Sequence, residues 1–222
     1  QRQMCIRDSS YPVRVDKEGN VLAQTDISEE NGVLTLTEES AGPGIEFGFA
    51  GSPEMTITLP AKALTKISLR TNAGNISLSG VQAEQVSCAS NTGNIAVAET
   101  EAEQLILSSD TGNVRAENMT AGLLSLAADT GNVTFAGEIR AERIQARSQL
   151  GNISAEAPLS AGEMSFETET GEVELLIRGA QAEYTVIAET DTGNSNIQSA
   201  IGGDKTLTIR TDMGNIRVSF VQ

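Results

Sequence analysis

Apolar and polar positions along this chain repeat in a frame near 20 residues long. With Ile67 as position zero, position +7 is Gly74. The same count from Val86, Leu105, Leu124, Ile144, Met164, Val186 and Leu207 reaches Gly93, Gly112, Gly131, Gly151, Gly171, Gly193 and Gly214. Position +8 is Asn75, Asn94, Asn113, Asn132, Asn152, Asn194 and Asn215, with Glu172 as the exception. Apolar columns fall at 0, +2, +9 and +11, and Ser195 is the one polar residue at +9. Spacing of two on either side of the glycine is the strand period, so each unit reads as strand, tight corner, strand. The eight units are numbered here as coils 1 to 8 in chain order.

Successive corner glycines lie 19, 19, 19, 20, 20, 22 and 21 residues apart, yet the stretch from 0 to +8 never changes length. All the slack sits after the Asn. A rigid edge with one variable corner is how a solenoid absorbs insertions. Ala83, Ala102, Ala121, Ala141, Ala161 and Ala182 precede the new strands and mark the expected second corner. Gly reaches positive φ without a Cβ penalty, and Asn bonds nearby backbone. Stacked coils lie about 4.8 Å apart, close enough for one column of asparagines to bond as a ladder. Ser or Thr fills +4 in every coil but the fourth, where Ala128 stands; an inward hydroxyl there can satisfy backbone groups at the bend.

The fold expected is all-β: a parallel, right-handed, single-stranded β-helix (β-solenoid) of eight coils over 67–222. Residues 10–66, where "NGVLTLTEES" and "EMTITLP" alternate, read as an N-terminal β cap continuous with the array. Residues 1–9, "QRQMCIRDS", match nothing else in the chain and read as a foreign or artefactual leader.

"ITLP" before the first coil, followed by phased copies of S/T-x-T/A-G-N/D-I/V-x-V/L, resembles the bacterial adhesin-like family of β-strand-repeat domains of unknown function. That resemblance implies an extracytoplasmic or cell-surface protein with an unidentified surface ligand or protein partner, and it carries over no catalytic residue.

Composition narrows the chemistry. The chain has 222 residues, 15 Lys+Arg against 30 Asp+Glu, and a formal charge of −15, a field that repels nucleic-acid phosphates. It has no histidine, which removes Ser-His-Asp catalysis and imidazole zinc sites. Cys5 and Cys88 make no disulfide framework, and Cys88 falls in an apolar column. No apolar run approaches the ~18 residues of a membrane span. There is no cofactor motif, and no cofactor is expected.

Asp-Thr-Gly, the tripeptide of aspartic proteases, occurs at Asp110, Asp129 and Asp191. The same +5 slot also holds Asn72, Asn91, Gln149, Glu169 and Asp212, which is the behaviour of a turn position rather than of a facing catalytic dyad. Two acidic couples, Asp110 with Asp129 and Asp191 with Asp212, are expected to stack about 5 Å apart. Exposed carboxylates hydrate cheaply, so solvated acids and no metal are expected there, with calcium, which would relieve that repulsion, as the weaker alternative. The function expected is non-enzymatic: a surface or envelope module that binds or scaffolds. The alternative is a polysaccharide-acting β-helix enzyme, using the +3 column of Arg70, Ala89, Ser108, Ala127, Arg147, Glu167, Glu189 and Arg210.

Overall fold

The computed structural model describes residues 64–222 in full, together with the backbone of three N-terminal strands. The chain divides into two units, Gln1–Pro60 and Ala61–Gln222. In the first, Arg14–Val15, Val21–Glu30 and Val33–Ser40 form an antiparallel three-stranded sheet. The expected strand in "EMTITLP", the capping contact of residues 10–66 and the leader 1–9 lie outside the described residues.

The second unit is the β-solenoid. Its first strand is Leu64–Ala73, and parallel pairs link Ile67 to Val86, Leu105 and Leu124 in register. From the second coil the strands run through the bends, as in Ile95–Thr111 and Val114–Thr130. Each coil has three sides rather than two. Beyond the columns at +2 and +11, a third inward column holds Val81, Thr100, Met119, Ile139 and Leu159, all buried. The length variation between corners disguises this column in the sequence.

The second corner is also not where the alanines stand. Ala83, Ala102, Ala121 and Ala161 are buried on the third side, whereas Ala182 sits exposed in a 3₁₀ turn. The bend itself falls at Gly80, Glu99, Asn118 and Gly137, which have φ of 67°, 50°, 52° and 59°. Left-handed backbone suits Gly and Asn there, so Glu99 carries the strain.

The first corner is as expected, with a stronger reason for glycine than φ alone. The eight corner glycines have φ between 146° and 159°. A Cβ on Gly112 would stand 2.2 Å from the carbonyl oxygen of Gly93, and one on Gly131 would stand 2.1 Å from that of Gly112. The corners are packed backbone against backbone. Packing inside is complementary in size too. Coil 5 carries small Ala146 and Ala155, and Phe135 and Phe166 from the coils on either side meet edge to face with centroids 6.0 Å apart.

Coil order in space departs from chain order. Coil 6 pairs with coil 8 along both sides: Met164 with Leu207, Phe166 with Ile209, Val173 with Ile216 and Leu175 with Val218. Coil 7 pairs only with coil 8, as Val186 with Leu207 and Ala188 with Ile209. The stack therefore runs 1-2-3-4-5-6-8-7. After coil 6 the chain skips a rung, makes coil 7, and returns to fill the gap. That last crossover descends where the others climb, so it has the opposite hand to them, a rare arrangement for parallel strands.

Coil 7 is fit to be an end and unfit to be a middle. After Asn194 it makes two isolated bridges, Ser195 with Ile216 of coil 8 and Ala200 with its own Val186, instead of a second strand. The rest of its loop satisfies open backbone groups. The Asn196 side chain donates to the Val218 carbonyl at 3.0 Å and accepts from the Val218 N–H at 2.8 Å. Ala200 exchanges both backbone hydrogen bonds with Val186, and Ser199 Oγ accepts from the Ala188 N–H at 2.9 Å. An end edge that is covered in this way cannot recruit another strand.

Two outcomes follow. Gly112→Val, with both strain and a backbone clash, is expected to cost on the order of 3 kcal/mol or more. Asp110→Asn should stay within about 0.5 kcal/mol, and Gly162→Ala, whose Cβ would lie 3.5 Å from the Glu142 carbonyl, within about 1 kcal/mol. Thermal melts of the three variants check this order, and Asp110→Asn melting lowest would give that aspartate a role beyond the turn. In native-state hydrogen exchange, peptides from 205–221 should be better protected than peptides from 184–200, although they lie nearer the chain end. The reverse order would contradict the stack.

Candidate functional site

The corner edge carries the residues with the most conspicuous sequence signal, and their bonds show what they do. The Asn113 N–H donates to the Asn94 side-chain oxygen at 2.8 Å, and the Asn132 N–H donates to that of Asn113 at 2.9 Å. The same link joins Asn75 to Asn94, Asn132 to Asn152, Asn152 to Glu172 and Asn215 to Asn194. The expected ladder exists, but each rung is side chain to backbone. One direct amide–amide contact accompanies it, from Asn113 Nδ2 to Asn94 Oδ1 at 3.2 Å.

The +4 hydroxyls form a second ladder inside the bend. Ser109 Oγ donates to the Gly93 carbonyl at 2.8 Å, Ser148 to Gly131 at 3.0 Å and Thr168 to Gly151 at 3.0 Å. Thr211 and Thr190 do the same toward Gly171 and Gly214, following the spatial order. Ala128 has no hydroxyl to offer Gly112.

The Asp-Thr-Gly copies do not converge. Asp110 and Asp129 occupy adjacent coils 3 and 4, while Asp191 sits on coil 7 at the end of the stack beside Asp212 of coil 8. Among the described residues, no three carboxylate or thiol side chains come together as a metal cage. Cys88 is buried, and desolvation pushes its thiol pKa up to about 12, so it is a core residue rather than a nucleophile.

The outward +3 column shows what sequence order hides. With coil 8 between 6 and 7, Arg147, Glu167, Arg210 and Glu189 stand side by side with alternating sign. In chain order, Glu167 and Glu189 would have been neighbours. Arg210 reaches Glu189 at 3.0 Å, and Lys205 reaches Glu183 at 2.7 Å.

Glu172, the exception in the Asn column, belongs to the same junction. It accepts from Asn215 Nδ2 at 2.7 Å and from Arg217 Nη1 at 2.8 Å. Those two donors, the amide first, hold its carboxyl below the usual glutamate range. Glu183 is lowered as well, first by the Ala180 N–H and then by Lys205. Tyr184, which stacks near Phe220 with centroids 5.8 Å apart, is raised by burial.

Along the outside of the alanine column runs an open groove of about 1120 Å³, spanning coils 1 to 6. Ala83, Ala102 and Ala121 form its floor, and Glu84, Glu101, Glu103 and Glu142 stand on its rims. Arg143 is held there by Glu163 of the next coil at 2.7 Å, and Arg140 by Glu138. Sequence reasoning gave this strip no role. The run of alanines was visible, but that they floor a concavity depends on the three-sided cross-section.

The junction has a pH signature. A depressed folded-state carboxyl contributes stability above its unfolded value, near pH 4.3, and loses it as pH falls through the lower folded value. Glu172→Gln should therefore be less stable than the parent at pH 7 and lose less on acidification below about pH 4.5. Denaturant unfolding over that range tests it, and parallel curves for the two proteins would deny the junction this role.

No curated protein and no solved structure matches this chain. Among the described residues, no helix is long and apolar enough to cross a membrane. The family profile described as Toastrack DUF4097 matches residues 6–219, a span that begins within the segment read as a leader and takes in all eight corners of the repeat array. The phased glycine corners and the parallel stack agree with that match, and the chain belongs to the Toastrack DUF4097 family, a β-repeat domain of unknown function.

Proposed function

We propose that this chain is a non-enzymatic module of the bacterial cell surface or envelope, which binds or displays through a rigid β-solenoid. The observation that supports the reading is the groove along coils 1 to 6, whose walls repeat at the coil spacing of about 4.8 Å. The side chains along a rim differ, as in the row Gln82, Glu101, Thr120 and Arg140, but their spacing is fixed and short, which suits an extended ligand such as a linear glycan or peptide. The groove is open and lined by small and charged residues, whereas an enclosed small-molecule pocket is concave and mostly apolar. Backbone-packed corners keep its walls in register, so binding needs little ordering of the protein.

The test is incubation of the full chain with a panel of acidic and neutral polysaccharides and cell-wall fragments, with both retention and product release measured. Retention without release is the expected result. Release of reducing ends or unsaturated products would replace this reading with a polysaccharide-cleaving enzyme, and absence of retention at millimolar ligand would remove the groove as its site.

A further inference from the structure

The break in coil order divides the array at one interface. Coils 7 and 8 pair with each other along Tyr184–Thr192 and Lys205–Met213, and coil 7 has no other strand partner among the described residues. Among the described residues, coil 8 supplies the strand pairing that joins this pair to the body, by docking on coil 6, and Tyr184 of coil 7 adds one hydrogen bond, its hydroxyl donating to the Arg178 carbonyl at 2.9 Å. The covalent link between body and pair is Gly179–Glu183, where corner glycines 171 and 193 stand farthest apart in the chain. That link is a single 3₁₀ turn with exposed side chains, and its Gly179 has φ of 109°.

The surface that coil 6 offers is chemically selective. It needs a glycine where Gly214 lies, since a Cβ there would stand 1.8 Å from the Gly171 carbonyl oxygen. It needs cations opposite Glu167 and Glu172, positions met by Arg210 and Arg217. Coil 8 is the one repeat with arginine at both +3 and +10. The glycine is common to every repeat, so the two arginines are what make coil 8 the repeat best matched to coil 6.

We infer that coils 7 and 8 form an exchangeable unit, and that coil 6 accepts coil 8 from a second copy of this chain to give a reciprocally exchanged dimer. The same contacts form in cis and in trans, and only the Gly179–Glu183 link changes conformation. Cis docking prevails in dilute solution because the link holds coil 8 at high local concentration, and exchange grows with protein concentration during folding.

Ser165 and Thr208 are paired across the coil 6–coil 8 interface, on its outer face, and report which copy is docked. In a Cys5→Ser background, full-length chains carrying Ser165→Cys or Thr208→Cys are unfolded, mixed, refolded and treated with a short bismaleimide. A crosslinked dimer is expected, with a dimer-to-monomer ratio that rises about tenfold for a tenfold rise in refolding concentration. Both substitutions in one chain should crosslink internally after dilute refolding. Internal crosslinking of the double variant with no dimer from the mixture at any concentration would overturn exchange, and failure of the internal crosslink would overturn the coil order beneath it. Deletion of Gln181 and Ala182, which prevents the link from skipping a rung, should shift the chain to a dimer by light scattering. A natively folded monomer would count against the inference.

Discussion

The contact on which this structure rests is between backbones: the carbonyl of one corner glycine lies against the Cα of the next. A Cβ in that space would fall within 2.2 Å of the oxygen in every coil from the second onward. Because nothing softer separates the corners, successive coils have a single register. That register brings the Asn side-chain oxygen to the next N–H, and the +4 hydroxyl to the glycine carbonyl that no ladder amide reaches. Each such bond contributes only about 0.5–1.5 kcal/mol on its own. Repeated along the stack, they make the corner a continuous hydrogen-bonded edge, and the three apolar sides follow from it.

A solenoid built this way has an edge problem at each end, and this one solves the problem at coil 7 by rearranging its order. A coil without a second strand would interrupt the side that runs from Val173 to Ile216. Placed last, the same defect becomes the lid, with Asn196 and Ser199 standing in for strand backbone. Charge favours the same order. Coil 6 carries Glu163, Glu167, Glu169, Glu172 and Glu174, and coil 7 carries Glu183, Glu189 and Asp191. Exposed pairs are individually weak, so the electrostatics select among packings that the apolar columns already permit.

Coil number, corner residues and the apolar columns at 0, +2, +9 and +11 were legible in the sequence, because the stretch that carries them has constant length. The third side was not, since its column holds a polar Thr100 and slips by one residue relative to the corner glycine between Met119 and Ile139. Nor was the order of the stack. Its three marks were in plain view: Glu172 in the Asn column, Ser195 in an apolar column and the wide gap from Gly171 to Gly193. Periodicity tells which way a side chain faces, but it does not name the coil lying beside it. Each anomaly becomes explicable only when Arg217 and Asn215 are seen next to Glu172.

The candidate surface divides along the same line. Positions that touch the corner are committed to the fold: Asp110 shares its slot with Asn, Gln and Glu, while the neighbouring glycine and asparagine scarcely vary. Outward positions are free of that constraint. The +3 column passes from Arg70 through Ala89, Ser108 and Ala127 to alternating charges, and the groove rims change from Glu84 and Glu103 to Gly122 and Glu142. A scaffold whose corners tolerate so little can tolerate nearly anything on its outward columns. Sequence freedom in this chain therefore lies on the groove and the outer faces, and the aspartate of Asp-Thr-Gly, conspicuous as it is, varies along its column as a turn position does.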